Sequence, residues 1–152
     1  MASSTDYYIW PCFGIWGLDR LCRWLRYAIL SGFESPNKAS CEIEMLNHDT
    51  IRVTATRRIP LGWRAGQHFF ICFPTMGPFE SHPFSIANIS DSDAKYKKIV
   101  WIIRTRDGAT KRLKDFADNR NGIATAPLLL DGPYGAPPDI TPFSTCVFFA
   151  GW

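Results

Sequence analysis

No two of the five cysteines, Cys12, Cys22, Cys41, Cys72 and Cys146, form a CxxC pair or a metal-ligand cluster. An odd, scattered set argues against a disulfide framework and for reduced, buried thiols in a cytosolic setting. Histidine is scarce, and His48, His68 and His82 lack metal-site spacing. The uncharged stretch from Tyr7 to Leu18 falls well short of the ~20 apolar residues that a spanning helix needs, so it cannot cross a bilayer alone. Positive charge follows this stretch instead of preceding it, which argues against a cleaved signal peptide. The net charge of +3 is too small to argue for nucleic acid and fits an anionic ligand or a membrane surface equally well. No internal repeat appears, and no residue stands out as a general acid, a general base or a nucleophile.

What remains is an ordinary folding composition. At 152 residues, with 46% apolar and 20% charged residues, the chain can hold one domain with a real core but not two full ones. Aromatic content of 14%, with 11 Pro and 11 Gly, predicts short strands broken by turns. Cys41, Ile43 and Met45 alternate with Glu42 and Glu44, and Ile51, Val53 and Ala55 alternate with Arg52, Thr54 and Thr56. These read as two half-buried strands joined by a hairpin at Asn47-His48-Asp49. Further strands are predicted at 67–73, 84–89, 98–104 and 124–130, and the apolar run Ile99 to Ile103 reads as a strand buried on both faces. One helix is predicted with Thr110 as its N-cap and Leu113, Phe116 and Ala117 on one face. The expected fold is mainly β, a six-stranded antiparallel Greek-key barrel carrying one helix and preceded by an N-terminal helix.

Three segments carry chemistry. His82-Pro83-Phe84-Ser85 follows the strand-like run Gln67 to Pro74. A cation-capable ring, a rigid proline, an aromatic face and a small hydroxyl are what a flavin needs: packing on the isoalloxazine, a hydrogen bond at its redox-active edge, and contact with phosphate. By itself the tetrapeptide also reads as a turn with a core phenylalanine. The second segment, Gly108-Ala109-Thr110, opens the predicted helix among Arg104, Arg106, Lys111 and Arg112, presenting backbone N–H groups, a hydroxyl and cations suited to phosphate. Such turns also start many helices, and runs of Lys and Arg are usually solvated surface. The third, Asp131-Gly132-Pro133-Tyr134-Gly135, is a tight turn after Leu128-Leu129-Leu130. At the N-terminus, Arg20, Arg23 and Arg26 recur along one side of a helix, with Trp10, Trp16 and Trp24 as interfacial aromatics. That pattern suits a helix end leaving a bilayer on its cytosolic side, or an amphipathic helix packed on its own domain.

Taken in order, the Gly66-Gln67 strand, His82-Pro83-Phe84-Ser85, Gly108-Ala109-Thr110 and Asp131-Gly132-Pro133-Tyr134-Gly135 resemble the flavin domain of fungal ferric reductases and their NADPH oxidase relatives. Tyr8-x-Trp10-Pro11 with Asp19-Arg20-x-x-Arg23-x-x-Arg26 is similar to the exit of the last transmembrane helix in the ferric reductases. The resemblance implies FAD as cofactor, with His82 at its phosphates or ribityl chain, Phe84 on the isoalloxazine and Ser85 near N5. It also implies Gly108, Ala109 and Thr110 at the pyrophosphate, and Arg104 as nearby charge. It implies four regions: a membrane-proximal helix at 1–30, a linker at 31–40, the flavin barrel at 41–135, and at 136–152 a connector with the first strand of an NADP-binding domain. In the family, electrons pass from NADPH to FAD and through membrane haems to ferric chelates. The haem-binding histidine pairs and the Gly-rich nucleotide loop are absent from this sequence, so the chain is expected to be a fragment that is inactive alone, its flavin domain membrane-associated on the cytosolic side. His68 reads as a strand histidine on the solvent side, and Trp63 and Gln67 as residues shaping the barrel entrance. The open alternatives are the flavin domain of a superoxide-generating oxidase and a non-catalytic, membrane-tethered β-barrel remnant. Binding of single-stranded nucleic acid is disfavoured, because most aromatics lie in apolar strand runs or the N-terminal segment rather than in a basic groove.

Overall fold

A computed structural model describes residues 6–31, 40–91, 93–147 and 149. Helix α1 (Asp6–Ser31) leads into β1 (Ser40–Asn47), β2 (Thr50–Arg57), β3 (His68–Cys72), β4 (His82–Ser85) and β5 (Lys97–Arg104). Helix α2 (Ala109–Asp118), β6 (Ile123–Pro127) and β7 (Leu129–Tyr134) complete the order. The linker expected at 31–40 lies almost wholly outside the described residues.

The mainly β, antiparallel architecture expected from the sequence is present. Its strands fall into two sheets, however, with orders β5-β2-β1-β6 and β4-β3-β7, rather than into one continuous barrel. The count rises from six to seven because the stretch 124–130 divides at Leu128. Pro127, which has no N–H to extend a ladder, ends pairing with β1 opposite Ser40, and Leu129 begins pairing opposite Cys72. A seam on the other side is held by Ala87 N–H on the Val100 carbonyl (2.8 Å). There Asn88 bridges further, its amide nitrogen donating to Lys98 O and its amide oxygen accepting from Val100 N–H.

Alternation sets the core. Cys41 and Ile43 of β1 face inward with Ile51, Val53 and Ala55 of β2, and these meet Phe69, Ile71 and Leu130 from the second sheet and Leu128 from the link between β6 and β7. The predicted hairpin is present, with Asn47 paired to Thr50 around His48-Asp49. Strand β5 corrects one expectation: Ile99, Trp101 and Ile103 are buried, but Ile102 is 50% exposed. Like β1 and β2, β5 lays only one face against the core, so Ile102 on its other face remains wet. Over the described residues 145–147 and 149 no strand forms.

Helix α2 seats Leu113 and Ala117 in the core, with Phe116 partly buried. Its N-cap is Gly108 (φ 83°, ψ −132°), not Thr110, which sits in the first turn. Helix α1 leaves Tyr8, Trp10, Phe13, Ile15, Trp16, Leu21 and Trp24 exposed. Among the described residues, no helix is long and apolar enough to cross a membrane.

Candidate functional site: a cleft between strand β4 and helix α2

The pairing of β4 with β3 decides where the His82-Pro83-Phe84-Ser85 side chains go. Phe84 lies opposite Phe69 and His82 opposite Ile71, while Ser85 lies opposite His68 and Pro83 opposite Phe70. Residues directly opposite in an antiparallel pair share a face, so His82 and Phe84 point one way and Pro83 and Ser85 the other. His82 and Phe84 line a small surface cleft whose facing wall is Ala109, Thr110 and Arg112 of α2, with Phe73 and Met76 beside them. The two segments picked out in the sequence, well separated along the chain, thus meet across one opening.

Strand β4 is also an edge strand. Ile86 N–H donates to Gln67 O, so the antiparallel alternation turns the backbone groups of His82 and Phe84 toward β3. Those of Pro83 and Ser85 face the free edge. Proline is tolerated there because no ladder N–H is lost. Beside Ser85, on the outward face, His68, Phe70 and Tyr134 form an aromatic cluster with centroids 5.7–6.1 Å apart. His68 is therefore on the outward face, as expected, but half-buried rather than free in solvent. Gln67 Nε2 donates to Gly135 O (2.9 Å), tying the start of β3 to the Asp131–Gly135 turn. Trp63 is buried, its Nε1 donating to Asn88 O (2.8 Å), so it braces the seam between the sheets.

The opposite wall departs from expectation in two ways. Thr110 Oγ1 accepts from Arg106 N–H (2.8 Å) and donates to Arg106 O (2.9 Å), so its hydroxyl closes the 106–110 turn. What the turn leaves open to the cleft is the helix terminus itself, where no side chain caps α2 after Gly108. Arg104 is placed elsewhere: its side chain points outward from β5, and its Nε donates to Asp49 Oδ2 (3.2 Å). The Thr50 hydroxyl, followed by the charges of His48 and Arg104, holds the Asp49 carboxyl below its ordinary range despite its exposure. Arg104 shares a separate polar groove with Arg106, Lys111 and Lys114, away from Phe84.

Glu80, which the sequence-based site lacks, and Arg112, named there only within a basic run, occupy the cleft. Glu80 Oε2 pairs with Arg112 Nη2 and lies 3.8 Å from His82 Nε2. The signal was available: Glu80 stands two before His82 and four before Phe84, the spacing of one strand face, and Arg112 precedes the buried Leu113. Burial pushes the nearby Cys72 thiol up, and the Glu80 charge adds in the same direction.

Comparison with known proteins fits this geometry. Residues 36–138 match the family model of the FAD-binding domain. The chain is 30% identical over 147 residues to ferric reductase transmembrane component 4 of Saccharomyces cerevisiae, covering 95% of this chain and 19% of that protein. Component 3 of the same yeast is 33% identical over 147 residues, with the same coverage of 95% and 19%. A probable cell surface ferric reductase of Aspergillus oryzae is 31% identical over 166 residues, 98% of this chain and 21% of that one. The chain thus spans about a fifth of the length of these curated relatives, which are named as membrane or cell-surface components. The donor set suits the cofactor: an aromatic face at Phe84, edge donors and acceptors at Pro83 and Ser85, and cations with an uncapped helix end for a diphosphate. The chain belongs to the FAD-binding domain family and resembles the part of it carried by fungal ferric reductases.

Proposed function

We propose that this chain holds FAD across the edge of β4 and serves as the electron-transfer module of a ferric-chelate reductase. The observation that carries the reading is the meeting of His82 and Phe84 with the α2 terminus across one cleft, inside the stretch that matches the FAD-binding family. Phe84, packed against the core from behind, offers a ring held in place for stacking on the isoalloxazine. The Ser85 hydroxyl and N–H with the Pro83 carbonyl supply a donor and acceptor row for the polar edge of the ring. His82, Arg112 and the N–H groups of Gly108, Ala109 and Thr110 face the diphosphate. Bound FAD supplies the exchange between two-electron and one-electron chemistry, and the protein fixes its position and electrostatic surroundings.

Within this reading, the flavin domain covers 41–135, 1–30 is the membrane-proximal helix, and 31–40 links the two. Residues 136–152 lead toward an NADP-binding domain. NADPH is the electron source and a haem-bearing membrane domain the acceptor, with ferric chelates as terminal substrate. The exposed tryptophans of α1, with Arg20 and Arg23 on the same helix, favour contact with the cytosolic face of a membrane.

The test is a flavin titration of the full chain, followed by fluorescence and the visible spectrum, beside Phe84→Ala and Ser85→Ala. Saturable FAD binding is expected, weakened about tenfold by Phe84→Ala, since a stacked aromatic contributes ~0.5–1.5 kcal/mol beyond its area. A chain that is folded by circular dichroism yet binds no FAD would overturn the proposal.

A further inference from the structure

The cleft contains a negative charge where an anion-binding site has no evident use for one. Glu80 projects its carboxylate between Arg112 on α2 and His82 on β4, so the guanidinium and the imidazole best placed for a phosphate share one resident anion. Its position is fixed by the loop that carries it. Met76 and Gly77 N–H donate to Phe73 O (both 3.0 Å), and Glu80 N–H donates to Gly77 O (3.1 Å). The Cys72 thiol lies 3.6 Å from the carbonyls of Gly77 and Pro78. Gly77 lets the carboxylate lie close, since a Cβ there would stand 3.3 Å from Glu80 Cδ.

Resting on the flavin reading above, we infer that Glu80 is a stand-in anion for the flavin phosphates and sets the discrimination between phosphorylated and unphosphorylated flavins. Its carboxylate holds Arg112 and His82 in the cleft, screens the positive end of α2, and must give up Arg112 when a diphosphate enters. Arg112, rather than Arg104, is then the guanidinium that receives the phosphate, since Arg104 is committed to Asp49 in another groove. Riboflavin, which carries no phosphate, leaves the Glu80–Arg112 pair intact. FAD and FMN must compete with it. The pair is half-exposed, its side chains 44% and 51% accessible, so the competition is modest rather than prohibitive. An exposed ion pair of this kind corresponds to a few-fold change in binding.

The experiment measures dissociation constants for FAD, FMN, riboflavin and inorganic pyrophosphate. Flavins are followed by fluorescence and pyrophosphate by calorimetry, on the full chain and on Glu80→Gln, Arg112→Gln and the double variant. Glu80→Gln is expected to tighten FAD and pyrophosphate about two- to fivefold and leave riboflavin unchanged. Arg112→Gln is expected to weaken both phosphate ligands and to abolish the gain from Glu80→Gln in the double variant. If the parent binds FAD but Glu80→Gln binds it no more tightly, the role of Glu80 is overturned and the flavin reading stands. If Arg112→Gln leaves FAD binding unchanged, the assignment of Arg112 is overturned. If the parent binds no FAD, the flavin reading fails. Pyrophosphate then still decides whether Glu80 guards an anion site: tightening in Glu80→Gln supports it, and no change overturns it.

Discussion

Replacing Leu113 by alanine tests whether helix α2 is seated by its core contact, and with it one wall of the cleft. Leu113 is 2% exposed and is one of only two fully buried side chains of α2, the other being Ala117. The substitution removes three carbons, a transfer loss of about 2.4 kcal/mol at ~0.8 kcal/mol each. The void left between α2 and the sheet adds to this, so the total should approach 3–4 kcal/mol. Alanine is at least as good a helix former as leucine, so the loss comes from packing and not from local helix propensity. Urea unfolding should show the midpoint falling with little change in slope. The FAD titration should weaken in parallel, because Ala109 and Arg112 ride on the same helix. Lys114→Ala is the control: Lys114 forms a surface i,i+4 pair with Asp118 at 3.2 Å, worth under ~0.5 kcal/mol. If Leu113→Ala costs no more than Lys114→Ala, α2 is not anchored through Leu113, and the account of the cleft wall fails.

Two further perturbations probe the scaffold behind the site. Gly132 has φ +147°, and a Cβ there would lie 2.8 Å from Phe69 Cδ1 and 3.2 Å from the His68 carbonyl oxygen. Gly132→Ala should cost about 2–4 kcal/mol in denaturant unfolding, because the close neighbours include backbone that cannot move aside. A loss below ~1 kcal/mol would show that the turn relaxes easily. Burial pushes the Cys41 thiol up from 9.0 to about 12, against a smaller opposing pull from Arg57. The folded chain therefore keeps a proton that the unfolded chain sheds above its ordinary value. The stability tied to this group is whole below pH 9 and drains as pH rises toward 12, by about 1.4 kcal/mol per unit. Cys41→Ala removes that slope, so the stability gap between parent and variant should narrow from pH 8 to 10.5. A gap independent of pH would refute the shift.

Where the sequence could be read, the signal was local. Ile43, Ile51 and Val53 declare their faces by period-two alternation, and His48-Asp49 sits between two such runs where a short turn must lie. Leu113, Phe116 and Ala117 fix the buried face of α2 in the same way. The features that were misread depend on neighbours that lie far away in the chain. Ile99 to Ile103 contains no polar residue to reveal that only one face of β5 meets the core; that follows from which face of its sheet the rest of the chain covers, which no local window contains. The break at Leu128 arises because the chain changes partner strand, from β1 to β3.

The two arginines separate these kinds of information most clearly. Resemblance singles out Arg104 as charge near a phosphate, yet the alternation of β5 already turns it outward: Ile103 faces the core, so its neighbour cannot, and the pairing Thr50↔Arg104 delivers it to Asp49. Arg112 looks like one cation in a solvated run until the helix start is fixed at Gly108 rather than Thr110. Once Leu113 points inward, Arg112 on the adjoining helix surface is brought to the cleft, and the Glu80 carboxylate marks the place an anion prefers. The cation that faces the cleft is thus chosen by the phase of an element against the core, not by its distance along the chain from a motif. A residue can sit in the right segment and still serve a different groove.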